Sequence, residues 1–169
     1  MSNNQTTMSK QTRMSKDAAN KKIIVVREFD APLEKVWKAW TDSSILDQWW
    51  APKPWKAKTK SMDFRPGGVW LYSMVGPDGT EQFCRADFKT IVPNKSYTGD
   101  DAFCDENGNI TPDPPGMHWN VQFSPSDTGT KVEVEITFAS EADMQKIIEM
   151  GFEAGFTAAH GNLDEILEG

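Results

Sequence analysis

The stretch MQKIIEMGFEAGFTAAHGNLDEIL, residues 144–167, decides the fold. Its apolar residues recur every three to four positions, which predicts a helix with one buried face. Ser140 is a good N-cap, and Asp143 three residues later completes a capping box. We therefore predict one long helix over 140–169, whose roughly 28 helical residues at about 1.5 Å each would span roughly 42 Å. The rest of the chain should form the surface on which this helix packs.

Two glycines, Gly151 and Gly155, lie one turn apart on the buried face of this helix. A glycine inside a helix lowers its stability by about 1 kcal/mol relative to alanine. Either the helix backbone packs closely on a neighbouring element here, or the missing side chains leave room for a ligand. His160 flanks the same face, where it is either a hydrogen-bonded residue at the edge of the core or a ligand contact.

Size, charge and cysteine content restrict the functions open to the chain. Its 169 residues fit one domain, and charges interrupt the long helix too often for a membrane span. A net charge of −7 and a pI near 4.8 argue against nucleic acid or an anionic membrane as a partner. Cys84 and Cys104 form no C-x-x-C motif, so we predict neither a metal nor a cofactor. Sparse cysteine and the lack of a secretory signal favour the cytoplasm.

The first fifty residues predict a tail followed by a strand and two short helices. Residues 1–20 are rich in Ser, Asn, Gln, Thr and Lys, and such a composition buries too little apolar surface to offset the entropy of ordering. We predict a disordered tail over 1–20 and a single domain over 21–169. KIIVVREF, residues 22–29, predicts a strand, and the helical spacing between Pro32 and Trp50 predicts two short helices.

From Trp55 onward the apolar period changes from that of a helix to that of a strand. Further strands are predicted, between Gly, Pro and Asn turn signals, at 55–64, 69–75, 82–92, 96–103, 117–123 and 132–138. Six or seven antiparallel strands would each present one apolar face. Because a twisted sheet of this size curls, the long helix can lie in its concave side, which gives an α+β fold.

Several motifs in order resemble one protein family. Residues 27–52, REFDAPLEKVWKAWTDSSILDQWWAP, resemble the opening of the SRPBCC (START-like, helix-grip) superfamily, and most closely its activator-of-heat-shock-protein-ATPase-like branch. The segments RPGGVWLYSMVGPDG (65–79), ADFKTIVPNK (86–95) and MGFEAGFTAAHGNLDEIL (150–167) resemble later motifs of that branch. The resemblance covers about residues 22–168 and implies a curved sheet wrapped around the C-terminal helix.

The chain departs from that branch at two places. The usual Gly-x-Tyr-x-Glu pattern of the middle strand is replaced by Ala86, Phe88 and Thr90, and the loop over 104–116 is longer and richer in proline. This acidic loop is either a solvated connection or a lid over a cavity mouth, and it lacks the D-x-D-x-D-G pattern of a calcium site. Because both differences could reshape a cavity, the identity of a ligand does not carry over from the family.

The resemblance implies a hollow between helix and sheet, which the superfamily uses for lipids, hormones, polyketides and other apolar molecules. Seven tryptophans suit such a pocket, and Trp50 is the predicted gate at its entrance. The candidate ligand-binding residues are Trp50, Trp70, Tyr72, Phe88, Met117, Trp119, Phe152, Phe156 and His160.

Three classes of function fit the sequence. The first, which we favour, is a carrier or sensor of a small hydrophobic or aromatic molecule. The second is an enzyme of the cyclase or hydratase type that uses the same cavity, although no catalytic triad order or carboxylate pair supports it. The third is a chaperone-interacting domain that stimulates a chaperone ATPase, which rests on family resemblance alone. A homodimer is left open.

Overall fold

Eight strands and four helices make up the computed structural model, which describes residues 11–168. In chain order they are β1 (Arg13–Asp17), β2 (Lys22–Phe29), α1 (Leu33–Thr41), α2 (Ser43–Trp49), β3 (Lys56–Met62), β4 (Val69–Val75), β5 (Glu81–Val92), β6 (Ser96–Phe103), β7 (Met117–Pro125), β8 (Thr130–Thr137), α3 (Glu141–Glu149) and α4 (Phe152–Glu168). The predicted α+β class, with a curved antiparallel sheet and a C-terminal helix, is confirmed.

The strands form one antiparallel sheet in the order β1-β2-β8-β7-β6-β5-β4-β3. Alternate residues of β2 and β8 are buried, as the apolar alternation of the sequence predicts. Register shifts between Thr59 and Ser61 in β3 and between Phe88 and Thr90 in β5 mark bulges. Bulges add local twist, so these two help the sheet to curl.

The helices cover the inner face of the sheet. Trp40 of α1 and Trp49 of α2 are buried with ring centroids 4.9 Å apart, and the indole N–H of Trp49 donates to the Ala39 carbonyl at 2.9 Å. Arg27 of β2 donates through Nη1 to Asp164 of α4 at 2.9 Å. The contacts of Trp49 join α1 to α2, and the Arg27–Asp164 pair holds α4 on the sheet. None of the helices in the described part of the chain is long and apolar enough to cross a membrane.

The predicted single C-terminal helix is in fact two helices. The Ser140 N-cap is confirmed, since its hydroxyl accepts the Asp143 backbone N–H at 3.1 Å. However, α3 ends at Glu149, and Gly151 has a φ of +90°. This left-handed conformation after a helix C-terminus is cheap for glycine and costly for other residues, so Gly151 ends α3 before α4 begins. The continuous rod of roughly 42 Å was therefore wrong.

Part of the predicted tail also differs in the structure. Residues 13–17 form β1, which pairs along its whole length with β2, and Thr12 Oγ1 lies 2.7 Å from His160 Nδ1. Backbone hydrogen bonds to β2 order this polar segment, and composition does not report such bonds. The sheet thus has eight strands instead of six or seven. Residues 1–10, the rest of the predicted tail, lie outside the described residues.

Candidate ligand-binding cavity

A hollow of about 270 Å³ lies between the inner face of the sheet and the region where α3 meets α4. Its walls are mainly apolar and come from four strands, both C-terminal helices and the segment after α2. They are formed by Trp50, Pro52, Tyr72, Met74, Cys84, Asp101, Ala102, Phe103, Met117, Trp119, Ile147, Met150, Gly151, Phe152, Gly155 and Phe156. The break between the two helices therefore opens onto this cavity.

Trp50 is the centre of the aromatic wall. Its indole N–H donates to the Tyr72 hydroxyl at 3.0 Å, and its ring centroid lies 5.8 Å from that of Trp119 and 5.9 Å from that of Phe156. These separations and their tilted or edge-to-face angles are typical of favourable aromatic pairs. The hydrogen bond and the ring contacts fix the orientation of Trp50.

A second and smaller hollow of about 40 Å³ lies behind this wall. Trp70 and Phe88 line it, and Trp70 stacks on Tyr72 with centroids 3.9 Å apart. Trp50 and Trp119 line both hollows. The predicted gate, Trp50, thus lies between the two hollows.

The structure brings most of the predicted ligand-binding residues together. The main cavity is lined by Trp50, Tyr72, Met117, Trp119, Phe152 and Phe156. Trp70 and Phe88 face only the smaller hollow. His160 lines neither of the two hollows. Contact between these residues and a ligand stays a prediction.

His160 is a buried residue of the core. Its Nδ1 lies 2.7 Å from Thr12 Oγ1, and its ring centroid is 4.2 Å from that of Phe156. Burial, together with the charge of Arg27, lowers the pKa of His160 to about 3. The imidazole is therefore neutral at physiological pH, which fits the hydrogen-bonded core interpretation of the sequence.

The two glycines of the C-terminal region both line the main cavity. A Cβ atom added to Gly155 would meet only Pro52 Cγ, at 3.8 Å, and one added to Gly151 would meet nothing within 4 Å. Within residues 11–168, no neighbouring backbone packs against either residue. The structure therefore contradicts the close-packing interpretation. The interpretation that a missing side chain leaves room stays for Gly155, whereas the positive φ of Gly151 gives that glycine its role in ending α3.

Asp101 is a feature of the cavity that the sequence reasoning missed. It lies in β6 opposite Ala86 of β5 and Met117 of β7, so it shares the inner face with the aromatic wall. Its Oδ1 atom is buried, and no hydrogen-bond partner for it occurs in the part of the chain that the structure describes. Burial raises the pKa of Asp101 to about 7; the charge of Asp87 adds to this effect, and the Ala102 backbone N–H opposes it. The sequence held a signal for this placement: Asp101 is spaced by two residues from Gly99 and Phe103, and such residues lie on the same face of a strand.

The other polar groups of the cavity are neutral near pH 7. Burial raises the pKa of Tyr72 well above its usual value near 10, and the charge of Asp101 adds to the rise. Burial likewise raises the pKa of the Cys84 thiol. The indole Nε1 of Trp119 is buried, and none of residues 11–168 accepts its hydrogen. Two residues of the wall, Asp101 and Trp119, thus each have one buried polar atom without a hydrogen-bond partner among residues 11–168.

The acidic loop over 104–116 is held to the rest of the protein at two points, Gly108 and Asp113. Arg85 Nη1 donates to the Gly108 carbonyl at 3.0 Å on the outer side of the sheet, and Lys146 of α3 forms an ion pair with Asp113. The residues that flank the loop, Phe103 and Met117, line the cavity. Within residues 11–168, no group of three His, Cys, Asp or Glu side chains is placed to hold a metal ion.

Comparison with known proteins identifies the family. Residues 30–168 match the family described as Activator of Hsp90 ATPase homolog 1-like protein. The chain belongs to this family. It thus falls within the SRPBCC superfamily, in the branch that the motifs predict, and that prediction is confirmed. No curated protein sequence matches the chain at a significant level.

Solved structures of similar proteins have the same fold as this chain. A protein from Arthrobacter aurescens is 35% identical, with a TM-score of 0.87 over 92% of this chain and 91% of that one. A protein from Mycobacterium smegmatis is 29% identical, with a TM-score of 0.86 over 93% of this chain and 96% of that one. A protein from Staphylococcus epidermidis is 26% identical, with a TM-score of 0.80 over 92% and 93%. This chain thus matches nearly the whole length of each of these three proteins.

Proposed function

We propose that the protein binds a small apolar or aromatic molecule in the main cavity, as a carrier or sensor. The observation that supports this function is the open space beside Gly155, which forms a helical part of the cavity wall without a close neighbour. A glycine lowers the stability of a helix, and at Gly155 no close packing of the helix backbone offsets this loss. Space retained at such a cost is typical of a binding site.

The dimensions of the cavity restrict the ligand. Its volume of about 270 Å³ lies just below the range of roughly 300–1,000 Å³ that is common for ligand pockets. Six of the lining residues are aromatic: Trp50, Tyr72, Phe103, Trp119, Phe152 and Phe156. A ligand of one or two rings fits this space better than a long-chain lipid.

A second candidate function is stimulation of a chaperone ATPase. It is favoured by the description of the family, which names activators of the Hsp90 ATPase. This function would use an outer surface of the protein and would not require the cavity. Measuring the ATPase rate of Hsp90 with and without the protein tests it independently of ligand binding.

The ligand-binding function can be tested with 1-naphthylmethanol, a neutral bicyclic probe, by titration against tryptophan fluorescence. We expect quenching that saturates in the wild type and is lost in Gly155→Leu, because the new side chain would occupy the cavity. Gly161→Leu is the matched control, since Gly161 is exposed on the same helix and a Cβ there meets nothing within 4 Å.

The pair of leucine variants also gives the result that would refute the proposal. Circular dichroism first establishes that both variants are folded. If a folded Gly155→Leu binds the probe as tightly as Gly161→Leu does, the ligand lies elsewhere. If the protein converted bound 1-naphthylmethanol into a new product, that result would instead favour the enzyme interpretation.

A further inference from the structure

The main cavity holds one acidic side chain in an otherwise apolar and aromatic wall. Asp101 Oδ1 is buried on the inner face of β6 and lacks a hydrogen-bond partner among residues 11–168. Arg85, on the neighbouring strand, is directed to the outer face and donates to Asp87 at 2.8 Å. Asp101 lines the main cavity, and Arg85 does not neutralise its charge from the cavity side of the sheet.

We propose that the cavity selects an aromatic amine, bound as a cation with its ammonium group against Asp101. This inference rests on the proposed ligand-binding function and names the chemical class of the ligand. A buried carboxylate is costly unless it is paired or hydrogen-bonded. A ligand ammonium beside the Asp101 carboxylate supplies the opposite charge and N–H donors.

The aromatic wall supports the same class of ligand. Trp50 and Trp119, whose ring centroids are 5.8 Å apart, both line the cavity beside Asp101. Indole faces attract cations, and the attraction is stronger where water is excluded. An aromatic acid would instead place a second carboxylate beside Asp101, and like charges in a buried site repel each other.

The protonation of Asp101 should make the affinity for an amine depend on pH. Tyr72 of β4 and Cys84 of β5 are the other titratable groups of the cavity wall, and both have raised pKa values, so they stay neutral up to pH 8. The wall residues from β7 and α4, among them Met117, Trp119 and Phe156, do not titrate. Since the pKa of Asp101 is about 7 without a ligand, the carboxylate that pairs with the amine is lost on acidification.

The test compares three probes that share a naphthalene ring: 1-naphthylmethylamine, its isostere 1-naphthylmethanol, and 1-naphthoic acid, titrated by calorimetry at pH 8. We expect the amine to bind about tenfold or more tightly than the alcohol, because a hydrogen bond to a charged group is worth more than one between neutral groups. The acid should bind more weakly than the alcohol. The preference for the amine should shrink at pH 5.5.

Two variants assign the preference to Asp101. Asp101→Asn keeps the shape of the side chain and should reduce the affinity for the amine to that for the alcohol. Asp100→Asn is the matched control, because Asp100 is the exposed neighbour on the outer face, where it contacts His118 at 2.7 Å. This control should keep the full preference for the amine.

The outcomes separate this inference from the proposed function. If the wild type binds the alcohol and the amine with equal affinity at pH 8, Asp101 does not select a cationic ligand and the inference is refuted. The same conclusion follows if a folded Asp101→Asn keeps the preference. If none of the three probes binds, the proposed function fails and the inference fails with it. The wild-type comparison of amine and alcohol decides the matter even if Asp101→Asn does not fold.

Discussion

The two cavity glycines should respond to alanine with opposite changes in stability. Gly155 lies inside α4 with helical backbone, and its added methyl group would meet only Pro52 Cγ at 3.8 Å. Gly155→Ala should therefore raise the free energy of unfolding by up to about 1 kcal/mol, the difference in helix propensity between glycine and alanine. For a chain of this size, 1 kcal/mol corresponds to a rise of roughly 2–4 °C in melting temperature.

Gly151→Ala should lower the stability although the site has just as much room. A Cβ there meets nothing within 4 Å, but the φ of Gly151 is +90°. An L-residue in the left-handed region costs roughly 1–2 kcal/mol, so the melting temperature should fall by roughly 2–8 °C. Both variants replace one α-hydrogen by a methyl group on the same cavity wall, and neither methyl group clashes, so the opposite signs come from the backbone conformation.

Thermal unfolding followed by circular dichroism measures both changes. Gly161→Ala is the control, because Gly161 is also within α4 but faces open space away from the cavity. It should stabilise the protein as much as Gly155→Ala does, while only Gly155→Ala should weaken binding of 1-naphthylmethanol. A rise in melting temperature for Gly151→Ala would refute the helix break, and a fall for Gly155→Ala would restore the close-packing interpretation.

Three further perturbations test the core around the cavity. Trp119→Ala removes a buried ring that contacts Trp50 and Phe156, so we expect a loss of roughly 3–5 kcal/mol in chemical denaturation and weaker probe binding; an unchanged affinity in the folded variant would place the site elsewhere. Thr12→Val removes the hydroxyl 2.7 Å from His160 Nδ1 and should cost about 1–3 kcal/mol, whereas an unchanged midpoint would mean that this hydrogen bond adds no stability. The pKa of His160 is about 3 when folded and near 6.5 when unfolded, so acidification below pH 6.5 should favour the unfolded chain by up to about 1.4 kcal/mol per pH unit. His160→Gln, measured in parallel from pH 7 to 4, should lose that part of the pH dependence, and equal slopes would contradict the assignment.

The strands and short helices were predictable because their burial follows simple periods. In β8, alternate residues such as Val132 and Val134 are buried, and this alternation is visible in the sequence. The break after α3 was not predictable from the same signal. Ile147, Ile148, Phe152 and Phe156 continue the helical spacing on both sides of Gly151, because α4 packs on the same core as α3. Only the φ of Gly151, set by tertiary structure, distinguishes a cap from a helical glycine.

The first strand escaped prediction for a different reason. Residues 13–17, RMSKD, show neither apolar alternation nor β-branched residues, and none of them is fully buried. Their order comes from the ladder to β2 and from the contact of Thr12 with α4, which lies 148 residues away along the chain. Interactions at such sequence separation leave no local pattern.

The composition of the cavity wall supports the proposed ligand-binding function. Three departures from the usual rules of packing meet there: a helical glycine without a close neighbour at Gly155, a buried carboxylate oxygen on Asp101 and a buried indole N–H on Trp119, with no hydrogen-bond partner for either polar atom in the described chain. Each departure lowers stability by itself. Proteins tolerate such local conflicts chiefly at functional sites, where a ligand or a reaction uses them. A defect would leave random gaps, whereas an aromatic ligand with a charged amine would fill the space beside Gly155 and satisfy Asp101 in a single binding event.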